Sequence, residues 1–271
     1  MSADAGPTRC RAPDRRMRRF EPAALAGVIW RNLVIFGRYW KVTTFSSVMQ
    51  PIVYLFAFGV GFGSLVSHVG HVAYIKYVGT GMVASAVLFA SAFPGMFNTF
   101  IRWRYQKIYD AMLAAPVDTE ELVTAEILWT SLCAGTYGTA PLLLVLPFGL
   151  NPTAGMLLVP AIGFLTGFGF AALGTAIATV TTTLDNFNYI TSALLTPLFL
   201  LAGTFFPVSA LPSGVRLAAQ FNPLFHCVQL VRDASLGNLG AADLGHTAVL
   251  LIFAALMWRL AVSQLGKRLI D

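Results

Sequence analysis

His68 and His71 form an H-x-x-H pair that could hold a metal ion, and Glu120 and Glu121 stand side by side as paired acids do in an intramembrane protease. Gly59 to Ser64 reads GVGFGS, close to the G-x-G-x-x-G of a phosphate-cradling loop. None of the three completes its chemistry. The histidines have no third ligand nearby, so a solvated loop is the stronger reading. The glutamates lack the Arg or His that the protease pattern places after them, and they sit where acids favour the start of a helix. The glycine run fails at its last position inside an apolar stretch, where small residues serve helix contacts. No Walker A pattern is present, so the chain is not expected to hydrolyse ATP. Cys10, Cys133 and Cys227 are odd in number and far apart, which gives neither a disulfide framework nor a metal site. The expectation is a chain with no catalytic residues, no bound metal and no cofactor of its own.

The elements that frame these residues are membrane spans. Hydrophobic residues make up 56% of the chain and charged residues only 11%, too few to clothe a soluble surface. Uncharged runs of 26 residues between Lys41 and His68, and of 25 between Lys76 and Arg102, are each long enough to cross a hydrocarbon core of about 30 Å. The 58 uncharged residues between Glu126 and Asp185 exceed one helix and are interrupted by PFGLNPTAG, whose Asn-Pro and glycines break helical continuity. The reading is an all-α membrane protein with six transmembrane helices at about 43–66, 77–100, 123–147, 155–181, 187–206 and 242–261. Arg259, near the end of the sixth, can snorkel to the interface.

Of 18 Lys and Arg, nine lie in the N-terminal arm, three between the second and third spans (Arg102, Arg104, Lys107) and three in the tail (Arg259, Lys267, Arg268). Lys76, Arg216 and Arg232 lie opposite. The positive-inside rule then places both termini in the cytoplasm, and the net charge of +6 reads as a topology signal rather than a nucleic-acid footprint. Residues 1–20 read as a disordered basic arm. Glu21 to Lys41 sets Arg31, Arg38 and Lys41 on one helical face and Leu25, Ile29, Leu33, Phe36 and Trp40 on the other, an interfacial helix on the cytoplasmic surface. Phe205 to Gly237 is apolar but punctuated by Pro207, Pro212, Gly214 and Pro223, which suits two short helices dipping into the outer leaflet. Between Arg102 and Leu122 the periodicity puts Tyr105, Ile108, Tyr109, Met112, Leu113 and Pro116 on one face, with Arg104, Gln106, Lys107 and Asp110 on the other. Every charge falls near a span end, which leaves no midplane acid or base for ion coupling.

YQKIYDAMLAAPVDTEELVTAEILW, Tyr105 to Trp129, resembles the segment joining spans two and three in type 2 ABC exporter permeases, especially the nodulation-type lipooligosaccharide export permeases. LFLLAGTFFPVSALP (Leu198 to Pro212), followed by FNPLFHCVQLVR (Phe221 to Arg232), is similar to the family's extracellular re-entrant region. The resemblance runs from about Leu25 to Leu269, so residues 21–271 would be one transmembrane domain. It implies two permease copies, a homodimer, each resting on a separate ABC ATPase, so two ATPase copies that use ATP and Mg. A cytoplasmic coupling helix at about Trp103 to Ala115 would dock there through Arg104, Tyr105, Lys107, Ile108, Asp110 and Met112. Phe205, Phe206 and Pro207 would help close the exit, within a re-entrant region that also holds Pro212, Pro223, His226 and Arg232; the last two have capping or headgroup roles as their plainer reading.

The cargo implied is an amphiphile such as a lipooligosaccharide or lipid-linked glycan, exported across a bacterial cytoplasmic (inner) membrane, with membrane lipid as the other partner and no nucleic acid. Tyr54, Asn98, Thr136, Tyr137, Asn188 and Tyr189 could contact a sugar or serve span packing. Spans one and five, with Gly59, Gly63, Gly203 and Pro197, are the expected contact between copies. The alternatives are a permease for drugs or other hydrophobic compounds, and an ATP-independent channel or structural subunit.

Overall fold

The computed structural model describes residues 22–66, 68–70, 72–114 and 117–270. The basic arm expected at 1–20 lies outside the described residues, as do Glu21, His71 and Pro116. Among the described residues the regular structure is helical apart from a small antiparallel hairpin, β1 (His68–Val69) and β2 (Val72–Ala73). Among the described residues, five stretches are long and apolar enough to cross a membrane: Pro22–Ser64, Tyr74–Tyr105, Thr119–Phe148, Ala154–Val180 and Ala241–Leu269.

Helix α1 (Pro22–Tyr54) passes without a break through the position where an interfacial helix and a first span were expected to meet. Neither Gly37 nor Lys41 interrupts it, since an isolated glycine and a surface charge are each compatible with a continuous helix. A π turn (Leu55–Gly61) and a short 3₁₀ turn (Phe62–Ser64) continue it. At 1.5 Å per residue the 43 residues extend about 64 Å, so a large part of α1 projects beyond a hydrocarbon core. The expected division of its faces is not kept either. Arg31 turns inward, Val28 and Asn32 are buried, and Leu33 and Trp40 are exposed.

Helix α2 (Tyr74–Phe100) is the most enclosed of the long stretches. It packs on α6 (Val159–Val180) with almost no side chain between the backbones: a Cβ on Gly95 would lie 2.6 Å from the Ala171 carbonyl oxygen, and one on Gly174 2.5 Å from that of Ala92. A π turn (Ile101–Tyr105) ends α2, and Lys107, at φ 54°, turns the chain into the short α3 (Ile108–Leu113). Then come α4 (Thr119–Gly138) and α5 (Ala140–Val145), packed against both α1 and α2. Asp118 and Glu121 form a capping box at the start of α4, with the Asp118 N–H donating to Glu121 Oε2 at 3.1 Å. This is the helix-start role read for the adjacent glutamates.

The segment expected to be the fifth span is shorter than read. Three consecutive five-residue pieces, α7 (Asn186–Ile190), a π turn (Thr191–Leu195) and α8 (Thr196–Leu200), give about 22 Å of helix. The chain then turns through Gly203, whose φ of +79° a side chain would disfavour. Two helices follow in the stretch read as re-entrant, α9 (Ser213–Gln220) and α10 (Pro223–Leu236), and α11 (Ala241–Ile270) closes the bundle against α6.

Candidate functional site

A cavity of about 570 Å³ lies between α1, α2 and α4. Its walls carry Phe36, Tyr39, Tyr54, Phe89, Phe93, Trp129 and Tyr137, with Thr43, Ser47, Ser85 and Thr130 between them. Pro51 and Pro94 sit inside α1 and α2 and deprive the carbonyls of Ser47 and Ala90 of their helical donors. All four residues line the cavity. Of the six residues read as possible sugar contacts, Tyr54, Asn98 and Tyr137 line it. Tyr137 is also hydrogen-bonded to Thr44 at 2.8 Å, which ties α4 to α1. Thr136, Asn188 and Tyr189 lie elsewhere and are exposed; Thr136 bonds back to its own helix through the Leu132 and Cys133 carbonyls.

The end of the cavity nearest α3 is charged. Glu126 accepts from Arg31 Nη2 at 3.0 Å through Oε1 and from Arg102 Nη1 through Oε2. Arg31 also donates to Asn32 Oδ1 at 3.0 Å and to the Met112 sulfur at 2.8 Å. Tyr109, wholly buried, packs under the same cluster; burial, reinforced by the Glu126 charge, pushes its phenol well above the ordinary range. Three long helices and α3 thus meet at one carboxylate. Arg31 and Arg102 stand 95 and 24 positions from Glu126, Arg31 on the stretch read as an interfacial helix and Arg102 at a span end, and the only local signal is that Glu126 falls about two helical turns inside α4.

On the far side of α3, Arg104, Lys107 and Asp110 are exposed as expected, with Lys107 and Asp110 3.8 Å apart, while Ile108 and Met112 are half-buried. Tyr105 departs from the expected apolar face. It is 65% exposed, because the π turn and the left-handed Lys107 put it out of phase with Ile108 and Met112.

At the opposite end, Phe205 packs on Phe58 and Phe199 with ring centroids 4.5 and 5.4 Å away, whereas Phe206 is exposed. Pro207 precedes a 3₁₀ turn, Pro212 precedes α9, and Pro223 opens α10. Asn222 caps α10, its Oδ1 accepting from the Leu224 N–H at 3.0 Å. Arg232 is buried with its guanidinium carbon 3.8 Å from the Tyr77 ring centre, donating to the Gly203 carbonyl at 3.1 Å. Tyr77 donates to the same carbonyl at 3.1 Å, so Arg232 fixes the turn after α8 and is no open ligand contact. His226 Nδ1 lies 2.7 Å from His246 Nδ1, and its Nε2 faces the Gln220 carbonyl at 2.8 Å. A carbonyl can only accept, so Nε2 carries the proton and His246 donates to Nδ1. Gly59 and Gly203 are spent within the chain, against Ile75 and Val208, and do not offer the free face expected between copies.

Helices long enough to span a bilayer, around an aromatic cavity with a charged floor, define a multi-pass membrane permease. The family description "ABC-2 type transporter" matches residues 24–236, and the chain belongs to that family. It is 29% identical over 246 residues to a "Nodulation protein J" of Rhizobium leguminosarum bv. trifolii, covering 89% of this chain and 93% of that protein. It is also 29% identical to the Nodulation protein J of Sinorhizobium fredii NGR234, covering 92% and 98%. Against the "Inner membrane transport permease YadH" of Escherichia coli K12 it is 23% identical, covering 90% and 95%. The chain is a transport membrane subunit and not an ATPase.

Proposed function

We propose that this chain is the permease subunit of an ATP-driven exporter that moves an amphiphile, such as a lipooligosaccharide or lipid-linked glycan, out of the cytoplasm. The observation that carries the reading is the Glu126 cluster: an exposed helix, α3, is joined through Met112, Arg31 and Arg102 to three long helices at the floor of the cavity. A push on α3 from a docked ATPase would reach the cavity wall without passing through a flexible loop. Two ABC ATPase copies would bind ATP and Mg, and each would receive α3 through Arg104, Lys107 and Asp110. The names of the rhizobial relatives favour a nodulation-related cargo, and that of the Escherichia coli relative favours the inner membrane.

A second permease copy would complete the pathway. Phe45, Met49 and Val53 recur along one side of α1, Phe56 follows in the π turn that continues it, and all four are exposed, which supports α1 and its extension as the contact in place of the glycines. The 15 to 3 division of basic residues supports termini and α3 on the cytoplasmic side. The test is to express the tagged permease with the ATPase of a neighbouring gene and reconstitute both in proteoliposomes. Co-elution and ATP-dependent movement of a lipooligosaccharide are expected. Cargo flux without ATP, and no retained ATPase, would instead establish the channel reading.

A further inference from the structure

We propose that the floor of the α1–α2–α4 cavity holds the anionic head group of an amphiphile whose apolar part lies along the aromatic wall. The proposal rests on the exporter reading for its role in transport, but its binding chemistry follows from the side chains alone. Arg102 and Glu126 are the charged residues among the described lining, and Arg31 reaches Glu126 from behind. Two guanidiniums therefore share one carboxylate, leaving a net charge of +1 at the floor.

The hydrogen-bond inventory is equally one-sided. Each Glu126 oxygen already accepts from an arginine, and Asn32 Oδ1 accepts from Arg31. That bond fixes the amide orientation, so the end left over is Nδ2, a donor. Asn32 is 2% exposed and lines the cavity, and its Nδ2 has no partner; Arg31 Nε is likewise buried without one. A spare donor on the lining, Asn32 Nδ2, beside excess positive charge calls for an acceptor that carries negative charge, because an unpaired buried donor is costly.

The shape selects what is attached to that anion. The lining on α1 runs from Asn32 to Tyr54, about 33 Å of helix, so 570 Å³ is drawn out into a narrow cleft. Phe36, Phe89, Phe93 and Trp129 flank it above the floor. A compact solute would leave most of that wall uncovered. A phosphate, sulfate or carboxylate on an apolar chain fills both parts.

The experiment uses the full chain with its ATPase partner in nanodiscs of phosphatidylcholine, titrated with dodecyl phosphate, inorganic phosphate and dodecyl maltoside. Dodecyl phosphate should bind the wild type at least about tenfold more tightly than either other probe. Asn32→Asp is nearly isosteric, removes the spare donor and cancels the net charge, so it should weaken dodecyl phosphate about tenfold or more. Phe93→Ala leaves the floor intact and should weaken dodecyl phosphate only, which keeps the test open if Asn32→Asp does not fold. Equal affinity for all three probes, unchanged binding in the folded variants, or inorganic phosphate binding as tightly as dodecyl phosphate would overturn the proposal. Stimulated ATP hydrolysis would make the ligand cargo. Binding without stimulation, with an anionic phospholipid recovered from the native-membrane preparation, would make it a resident lipid; both outcomes support the anionic floor. Failure of the ATPase to co-elute sinks the exporter reading and leaves the binding result standing.

Discussion

Glu126 is the single carboxylate on which two half-buried arginines depend, and its loss should cost more than that of any surface charge. Glu126→Gln leaves Arg31 and Arg102 facing each other across a neutral amide. An expected loss of roughly 3 kcal/mol would appear as a lowered melting midpoint in detergent, and Arg31→Gln on the same background should recover part of it by restoring balance. His226 makes the opposite-end prediction. Burial holds its pKa below the ordinary imidazole value; the Gln220 bond opposes this and His246 adds to it. When the seam between α10 and α11 opens, the ring returns to about 6.5, so the open state takes up more protons in the window beneath that value. Closure is complete above about pH 6.5 and weakens as pH falls through the window. Asp233 works the other way: burial, then Asp243, raises its pKa against the pull of Arg232, so its contribution fades as pH rises. Hydrogen exchange of residues 223–236 at pH 7.5 and 5.5, corrected for intrinsic rates, should show faster opening at pH 5.5 in wild type and a loss of that increase in His226→Gln. An unchanged pH response in the variant would reject His226 as its source. The Glu126 cluster was not legible as a site in the sequence, and of the histidine pair only His226 was singled out, without its partner. Arg31 read as part of an interfacial helix's polar face, Arg102 and Glu126 read as charges at span ends, and His246 stood out in no motif, because what gives them meaning is proximity across helices.

At the level of elements, α3 behaves as a small amphipathic strut. Reversing its exposed charges, Arg104→Glu with Lys107→Glu, should leave insertion and melting unchanged but weaken ATPase retention through lost complementarity. Ile108→Asp with Met112→Asp should instead reduce the folded yield, since both side chains are half-buried and Met112 accepts from Arg31. Blue-native electrophoresis of the co-expressed complex separates the two failures; a charge-reversed permease that keeps its ATPase and exports at the wild-type rate would remove α3 from the coupling role. Gly174→Ala tests the α2–α6 contact, where the added methyl would collide with a backbone oxygen and cannot be relieved by a rotamer change. A drop in melting midpoint equivalent to roughly 1–3 kcal/mol is expected. The sequence was informative where physics is local. Uncharged runs marked the long helices, the two adjacent glutamates marked the start of α4, and Pro207, Pro212 and Pro223 marked the broken region after α8. It misled where several helical conformations satisfy the same pattern: a 100° periodicity cannot foresee the π turn at Ile101–Tyr105 that rotates Tyr105 outward.

For the molecule as a whole, a single direction across the membrane links the charged cavity floor, α3 and the helices α9 and α10. The floor and α3 occupy one end of the bundle, and α9, α10 and the β1–β2 hairpin the other, so the orientation of any one fixes the rest. The basic residues favour α3 inside. Ser213 begins α9 and is exposed, as is Lys107 before α3, and Cys227 is buried, so a chain with Cys10 and Cys133 replaced offers little background to a membrane-impermeant maleimide. In intact cells Ser213→Cys should label and Lys107→Cys should not, whereas permeabilised cells should label both. Labelling of Lys107→Cys alone in intact cells would invert the protein, placing the charged floor at the outer leaflet and turning the same cleft from the proposed exporter's entrance into its exit.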